Sequence, residues 1–289
     1  MKKILIQLDT DERASNFDAI VAYDAEVDIV IPHGRVTADE VRELVQDAFF
    51  TRGPKDLKNM AVWIGGYNVT VGQELLGEVK KTFFGPFKVS VMLDPNGCNT
   101  TAAAAIVRLL SSADVKGQKA LVVGVGAVGV RAATLLQREG CEVTVASIPA
   151  DVFGDDRPYR RPRGLSVAED LGLNPIEPAG RDELRTLLGE ATILLAVGPA
   201  GVQVFSEDDW KANRDLRYLV DFNAADPLGI EGIDAQDDLE ERDGKLALGA
   251  LGIGNRKMKV HKAGLRSLFE TNDLILDLDG IYEVAKESA

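Results

Sequence analysis

Leu121-Val122-Val123-Gly124-Val125-Gly126-Ala127-Val128-Gly129 is an apolar strand that runs directly into G-x-G-x-x-G and on into a helix-forming stretch. Each glycine has a separate task in such a turn. Gly124 permits the tight bend, Gly126 lets backbone amides approach a pyrophosphate, and Gly129 allows close helix–strand packing. Ala127 and Val128 supply the first amides of the helix, whose N-terminus carries partial positive charge. The stretch therefore predicts a Rossmann-type dinucleotide-binding domain.

Downstream, strands are expected at 142–146, 193–197 and 218–222, with a helix near 181–188. Prolines and glycines at 149, 154, 158, 162, 164, 172, 175, 178 and 180 predict mostly loop, with one turn of helix near 167–171. Upstream, strands at 3–8, 27–31, 60–64 and 87–93 alternate with helices at 15–22, from 37 to about 49, and at 70–81, which is the rhythm of a second, mainly parallel sheet. Thr37-Ala38-Asp39-Glu40 reads as a capping box, and Asn99 as the cap of a helix reaching Leu110. After residue 250 only helical spacing is apparent. The fold class is α/β with two domains, each with a mainly parallel sheet. Residues 1–114 form one, completed by C-terminal helices at 255–289, and 115–254 form the dinucleotide-binding domain.

Composition narrows the function classes. The 289 residues carry 46 acidic against 33 basic side chains, a net charge of −13, so the field repels nucleic acid and anionic lipid. No apolar run is long enough for a membrane span, and the start of the chain lacks a secretory signal, so a cytoplasmic address is expected. Cys98, Cys141, His33 and His261 are too dispersed for a structural metal.

The acid that binds the adenosine ribose in NAD-preferring domains belongs just after the second strand of the nucleotide domain. There the chain has Ala146-Ser147-Ile148. Ser147 can donate to a 2′-phosphate, and Arg157, with Arg160, Arg161 and Arg163, is either a second phosphate contact or part of a solvated loop paired with Asp151, Asp155 and Asp156. NADP is favoured, with NAD as the other cofactor. Gly198 and Pro199, after the next strand, and Asn223, after the one following, either border the nicotinamide or are plain strand-end turns.

Several longer stretches go further: Phe83-Phe84-Gly85-Pro86-Phe87-Lys88-Val89-Ser90, Met92-Leu93-Asp94, Asn99-Thr100-Thr101-Ala102-Ala103-Ala104, Pro227-Leu228-Gly229-Ile230, and Gly249-Ala250-Leu251-Gly252-Ile253-Gly254 leading to Lys257, Lys259 and His261. With them the whole chain resembles the bacterial methylene-tetrahydromethanopterin dehydrogenases, distant kin of the methylene-tetrahydrofolate dehydrogenases. The resemblance implies a reduced-pterin substrate, NADP or NAD, no metal, and a homo-oligomer, a trimer. The chain departs from the family pattern at Ile148, where an arginine is usual, and at Pro95, where a serine is.

Hydride leaves a methylene carbon in the reaction so implied, and no proton has to be removed. The lack of a Ser-His-Asp arrangement fits that chemistry. Candidates for the catalytic groups are Asp94, as a partner for the cationic product or for pterin amides, and Lys257, as a contact to a pterin carbonyl. Asp94 has an alternative role as a turn or cap acceptor, and Lys257 as a solvated lysine. Asp9, Asp11, Phe17, Asn99, Thr100 and Lys259 are candidates for binding substrate. His261 reads as a packed or capping histidine. Two competing functions are a tetrahydrofolate-linked dehydrogenase and cyclohydrolase, although Tyr23 is followed four residues on by Val27 rather than by the lysine that would activate water, and a non-enzymatic dinucleotide sensor.

Overall fold

The computed structural model describes residues 1–153 and 164–288. In chain order the elements are β1 (Ile4–Asp9), α1 (Asn16–Asp24), β2 (Ile29–His33), α2 (Ala38–Phe49), β3 (Met60–Gly65), α3 (Val69–Thr82), β4 (Ser90–Leu93) and α4 (Cys98–Leu110). There follow β5 (Lys119–Val123), α5 (Ala127–Arg138), β6 (Glu142–Ala146), α6 (Gly164–Asp170), α7 (Arg181–Gly189), β7 (Ile193–Ala196), α8 (Glu207–Ala212) and β8 (Tyr218–Asp221). The chain ends with β9 (Asp238–Arg242), β10 (Lys245–Leu248), α9 (Ala250–Ser267), β11 (Ile275–Leu276) and α10 (Leu278–Glu287). Two compact units result, Met1–Thr100 with Met258–Ala289, and Thr101–Lys257. The division falls inside α4, ahead of the loop at 111–117, and inside α9, which runs unbroken through residue 254, rather than at residues 114 and 254.

The first unit holds a parallel sheet in the order β11-β4-β3-β1-β2. One face is apolar: Ile6, Leu8, Val62, Ile64, Val91 and Leu93 pack against Val41, Val45 and Phe49 of α2 and Leu75, Leu76 and Val79 of α3. Parallel strands covered by helices read as near-continuous apolar runs, which is why β1 and β3 are visible in the sequence. The second unit holds a sheet in the order β6-β5-β7-β8-β10-β9, parallel except for the β9–β10 pair. Its core joins Leu121, Val123, Leu194 and Leu219 to Leu184 and Leu188 of α7 and Trp210 of α8.

Several elements differ from the sequence expectation. β2 runs two residues further than 27–31, through Pro32, which an edge strand tolerates because the missing amide faces no partner. β4 begins at Ser90 rather than 87, since Phe84 and Phe87 close a turn by exchanging backbone hydrogen bonds around Gly85 and Pro86. The C-terminal segment is not wholly helical: β11 pairs with β4 and adds a strand to the first sheet. Two residues are too short to leave a pattern. β9 and β10 are also additional, and their signal was readable: Asp243-Gly244 between them has both φ values positive, the turn chemistry of a tight hairpin. Between 149 and 180, the described residues contain a short 3-10 turn at Ala150–Val152 and α6, which starts at Gly164.

Candidate functional site

The glycine loop assigns a different burden to each glycine. Gly124 has φ +125°, and a Cβ there would lie 2.2 Å from the Val197 carbonyl oxygen. A Cβ on Gly129 would lie 2.0 Å from the Gly124 carbonyl oxygen. Both are demanded by the packing of the chain on itself. Gly126 is not: it is exposed, and a Cβ there would meet nothing within 4 Å. It stands at the N-cap of α5 with no side-chain acceptor, so the first amides of Ala127 and Val128 head an open cradle. That space fits the pyrophosphate of a dinucleotide. Sequence reasoning misses Gly164, whose Cβ would fall 2.2 Å from the Val125 carbonyl oxygen, so the start of α6 abuts the loop.

Ser147 departs from its expected role. It is 1% exposed, beneath a segment that runs along β6, where its N–H donates to the Ile176 carbonyl at 2.9 Å and the Ile176 N–H to Val145 at 2.8 Å. No carboxylate follows β6, as expected for NADP, and Arg157, Arg160, Arg161 and Arg163 lie outside the described residues.

Gly198 and Pro199 follow β7 beside the glycine loop, half-buried and exposed respectively. Asn223, after β8, is 3% exposed, and its amide is occupied by the chain: Oδ1 accepts from Ala225 N–H at 3.0 Å and Nδ2 donates to Pro227 O at 3.0 Å. Its side chain organises the loop. Asp221, two residues before it and the last residue of β8, is 1% exposed and accepts from Asn223 N–H and Ile230 N–H, both at 2.9 Å. Burial raises its carboxyl from 3.8 to about 6, against the backbone donors that lower it. Because the folded value lies above the unfolded one, the stabilising contribution is full below pH 4 and lost as pH rises through 6. The shift corresponds to about 3 kcal/mol. Asp221→Asn is therefore expected to flatten the decline in unfolding free energy between pH 4 and 6.5, measured by urea titration. An unchanged pH profile would place the titration elsewhere.

In the first unit the loops after β1, β3 and β4 converge at the C-terminal ends of the strands, where open α/β sheets bind ligands. The Tyr67 N–H donates to Asp11 Oδ1 at 3.1 Å, and the Asn96 N–H to Gly66 O at 2.7 Å. Asp9 is fully buried and accepts from Asp11 N–H at 2.8 Å and Ser15 N–H at 2.9 Å, and burial lifts its carboxyl above the usual range. It shapes the loop from inside; Asp11 and half-exposed Phe17 remain at the surface. Asp94 is likewise inward, 2% exposed. Its Oδ1 accepts from Asn99 N–H at 2.8 Å and Thr100 N–H at 3.1 Å, and its Oδ2 from the Thr100 hydroxyl at 2.5 Å. Asp94 thus caps α4, the role expected of Asn99, whose Nδ2 instead donates to the Leu93 carbonyl at 2.6 Å. Asn99 and Thr100 are both fully buried.

The opposite sheet face carries a polar patch that sequence reasoning misses. Gln7 and Trp63 are direct neighbours across β1 and β3, and each is 1% exposed. Gln7 Oε1, Trp63 Nε1 and Thr10 Oγ1 are buried with no hydrogen-bond partner among the described residues. Gln7 inside an otherwise apolar strand was the one available signal. His261, on α9, stacks on the Trp63 indole with centroids 4.7 Å apart and planes 8° from parallel, and the Phe17 ring lies 6.2 Å from it. At 1% exposure His261 is a core residue. His261→Ala is expected to cost about 2–4 kcal/mol of stability while turnover per folded molecule is retained; lost turnover at unchanged denaturant midpoint would make it catalytic instead. Lys257 is half-buried and Lys259 exposed on the same helix.

Among the described residues no cluster of His, Cys, Asp or Glu could hold a metal ion, and no helix is long and apolar enough to cross a membrane. A Rossmann-type unit with an open glycine cradle, joined to a second parallel α/β unit, defines the class: a dinucleotide-binding two-domain α/β protein. A family model described as methylene-tetrahydromethanopterin dehydrogenase, N-terminal, matches residues 16–96. Across 100% of its length the chain is 40% identical to "Bifunctional protein MdtA" of Methylorubrum extorquens AM1, covering 99% of that protein. It is 29% identical, again over 100% of the chain and 99% of the relative, to that organism's NAD(P)-dependent methylenetetrahydromethanopterin dehydrogenase. The chain belongs to the methylene-tetrahydromethanopterin dehydrogenase family. Its fold is shared with N5,N10-methylenetetrahydrofolate dehydrogenase-cyclohydrolase of Trypanosoma brucei, solved with NADP and an inhibitor, at a TM-score of 0.51 and 12% identity over 93% of this chain and 86% of that one.

Proposed function

We propose that this protein is an oxidoreductase that transfers hydride from methylene-tetrahydromethanopterin to NADP, leaving a methenyl cation delocalised over N–C–N. The observation that carries the reading is the glycine cradle with Gly126 left open, in a chain alike over its full length to a relative named for that substrate. The name of that relative favours methanopterin over folate. NADP, when bound, supplies the hydride acceptor.

The residues then divide the work. Backbone amides from Gly126 to Val128 hold the pyrophosphate, and Gly198 and Pro199 border the nicotinamide. NAD is the weaker alternative because no acid follows β6 to bind the 2′-hydroxyl. In the first unit, Asp11 and Phe17 bind the reduced pterin, supported by buried Asp9, Gln7 and Trp63 and half-buried Thr10. Lys257 orients the substrate, with Lys259 as a second contact from the same helix. Catalysis is then positioning in a water-poor site, since the product cation forms without loss of a proton. The enzyme is assigned as a cytoplasmic homo-oligomer, a trimer by family resemblance, which sedimentation can check.

The reading is tested by following NADP reduction with methylene-tetrahydromethanopterin and, separately, methylene-tetrahydrofolate. Faster turnover with the methanopterin substrate and with NADP than NAD is expected, and any change of kcat between pH 5 and 8 should follow the Asp221 carboxyl and vanish in Asp221→Asn, because the chemistry needs no general base. Turnover confined to the folate substrate would overturn the substrate assignment.

A further inference from the structure

We propose that Asp221 and Asn223 are positioning residues for the nicotinamide half of the dinucleotide, clamping the loop after β7 to the loop after β8. The inference rests on the dinucleotide reading of the second unit and concerns what that reading leaves unassigned: what holds the acceptor end of the site in shape.

The sheet order places β6 on one side of the glycine-loop strand β5 and β7, then β8, on the other. A dinucleotide crosses such a sheet with its adenosine on the β6 side and its nicotinamide toward β7 and β8. The loop after β7, Val197-Gly198-Pro199-Ala200-Gly201, has small side chains. Its first residue is held by the Val123 carbonyl of β5 at 2.8 Å, and its far end by the turn after β8. The Gly201 N–H donates to Asn223 Oδ1 at 3.4 Å, and the same oxygen accepts from Ala225 N–H at 3.0 Å, while Asn223 Nδ2 donates to the Pro227 carbonyl at 3.0 Å. One amide thus ties residue 201 to both limbs of the 223–227 turn.

Asp221 holds Asn223 in turn. Its Oδ1 accepts the Asn223 N–H and its Oδ2 the Ile230 N–H, so a single carboxylate closes the loop from 223 to 230. Gly229 completes the fit: a Cβ there would lie 2.8 Å from Asp221 Oδ1, and its carbonyl accepts from Val204 N–H at 2.8 Å, on the continuation of the β7 loop. Both loops are therefore fixed to each other and to the end of β8 by two buried side chains. Neither side chain takes part in the glycine cradle or in the loop after β6, so the adenosine half of the site does not depend on them.

That separation supplies the test. Asn223→Ser and Asp221→Asn are made in the full chain, and binding of NADP and of adenosine 2′,5′-bisphosphate, which carries only the adenosine half, is measured by calorimetry. The proposal expects affinity for NADP to fall about tenfold or more, with kcat/KM for NADP falling alongside, while affinity for the bisphosphate stays within about twofold. Equal losses for both ligands would mean that the substitutions loosen the whole unit, and no loss for either would mean that the clamp is idle; each result overturns the proposal. Should Asp221→Asn fail to fold, Asn223→Ser decides alone, since it leaves the buried carboxylate and its contacts to residues 223 and 230 in place. If the unaltered protein binds neither ligand, the dinucleotide reading itself falls and the clamp falls with it.

Discussion

Replacing Gly126 by aspartate leaves the chain folded and removes its affinity for NADP. The backbone at Gly126 is extended, with φ −98° and ψ −178°, a conformation open to any residue, and a Cβ there meets no atom within 4 Å. Aspartate is among the preferred N-cap residues, so α5 loses nothing and gains an acceptor for its first amides. The same carboxylate fills the space of the pyrophosphate and repels it. Binding should weaken at least 100-fold, about 2.7 kcal/mol, with the thermal midpoint within a degree or two of the original. Gly129→Val behaves oppositely, because its Cβ would collide with the Gly124 carbonyl at 2.0 Å; there the chain itself is disrupted. Fluorescence titration with NADPH beside a thermal melt separates the two. Retained affinity in a folded Gly126→Asp protein would remove the glycine loop from the cofactor site.

The second large effect is on stability. Asp94→Ala strips α4 of its cap and strands two backbone amides, while the fully buried Thr100 hydroxyl keeps only the Gly97 carbonyl at 3.3 Å. Cap loss together with buried unsatisfied donors should cost about 2–4 kcal/mol. Asp94→Asn, which keeps one acceptor oxygen, should cost roughly half as much. Urea unfolding reads both. If Asp94→Ala unfolds at the original denaturant concentration and loses only turnover, the carboxylate works on substrate rather than on the helix.

Asp94 also shows what a sequence leaves undecided. A carboxylate at the end of a parallel strand is placed both where ligands bind and where the next turn has amides to satisfy, and the sequence is the same in either case. Asp9, Asp94 and Asp221 stand at such positions, and in each the chain's own amides take the side chain. The glycine loop is readable because most of its requirements are local: the turn, the open cradle and the packing of Gly129 on Gly124 arise within nine consecutive residues, and only the approach of Gly124 to Val197 does not. Ser147 is covered for a long-range reason, the return of residue 176 along β6. The Gln7–Trp63 patch depends on the register between β1 and β3, which no local pattern specifies. The hairpin at Asp243-Gly244, by contrast, carries its own turn signal between a charged strand, β9, and a short apolar one, β10.

The central claim is that hydride passes from the methylene carbon of the pterin to NADP. It is tested most directly by giving the enzyme methylene-tetrahydromethanopterin with both methylene hydrogens replaced by deuterium and weighing the reduced nucleotide by mass spectrometry. The account predicts one deuterium in each NADPH formed, with a slower rate where chemistry limits turnover. Reduced nucleotide without deuterium, with the label released to water, would contradict it.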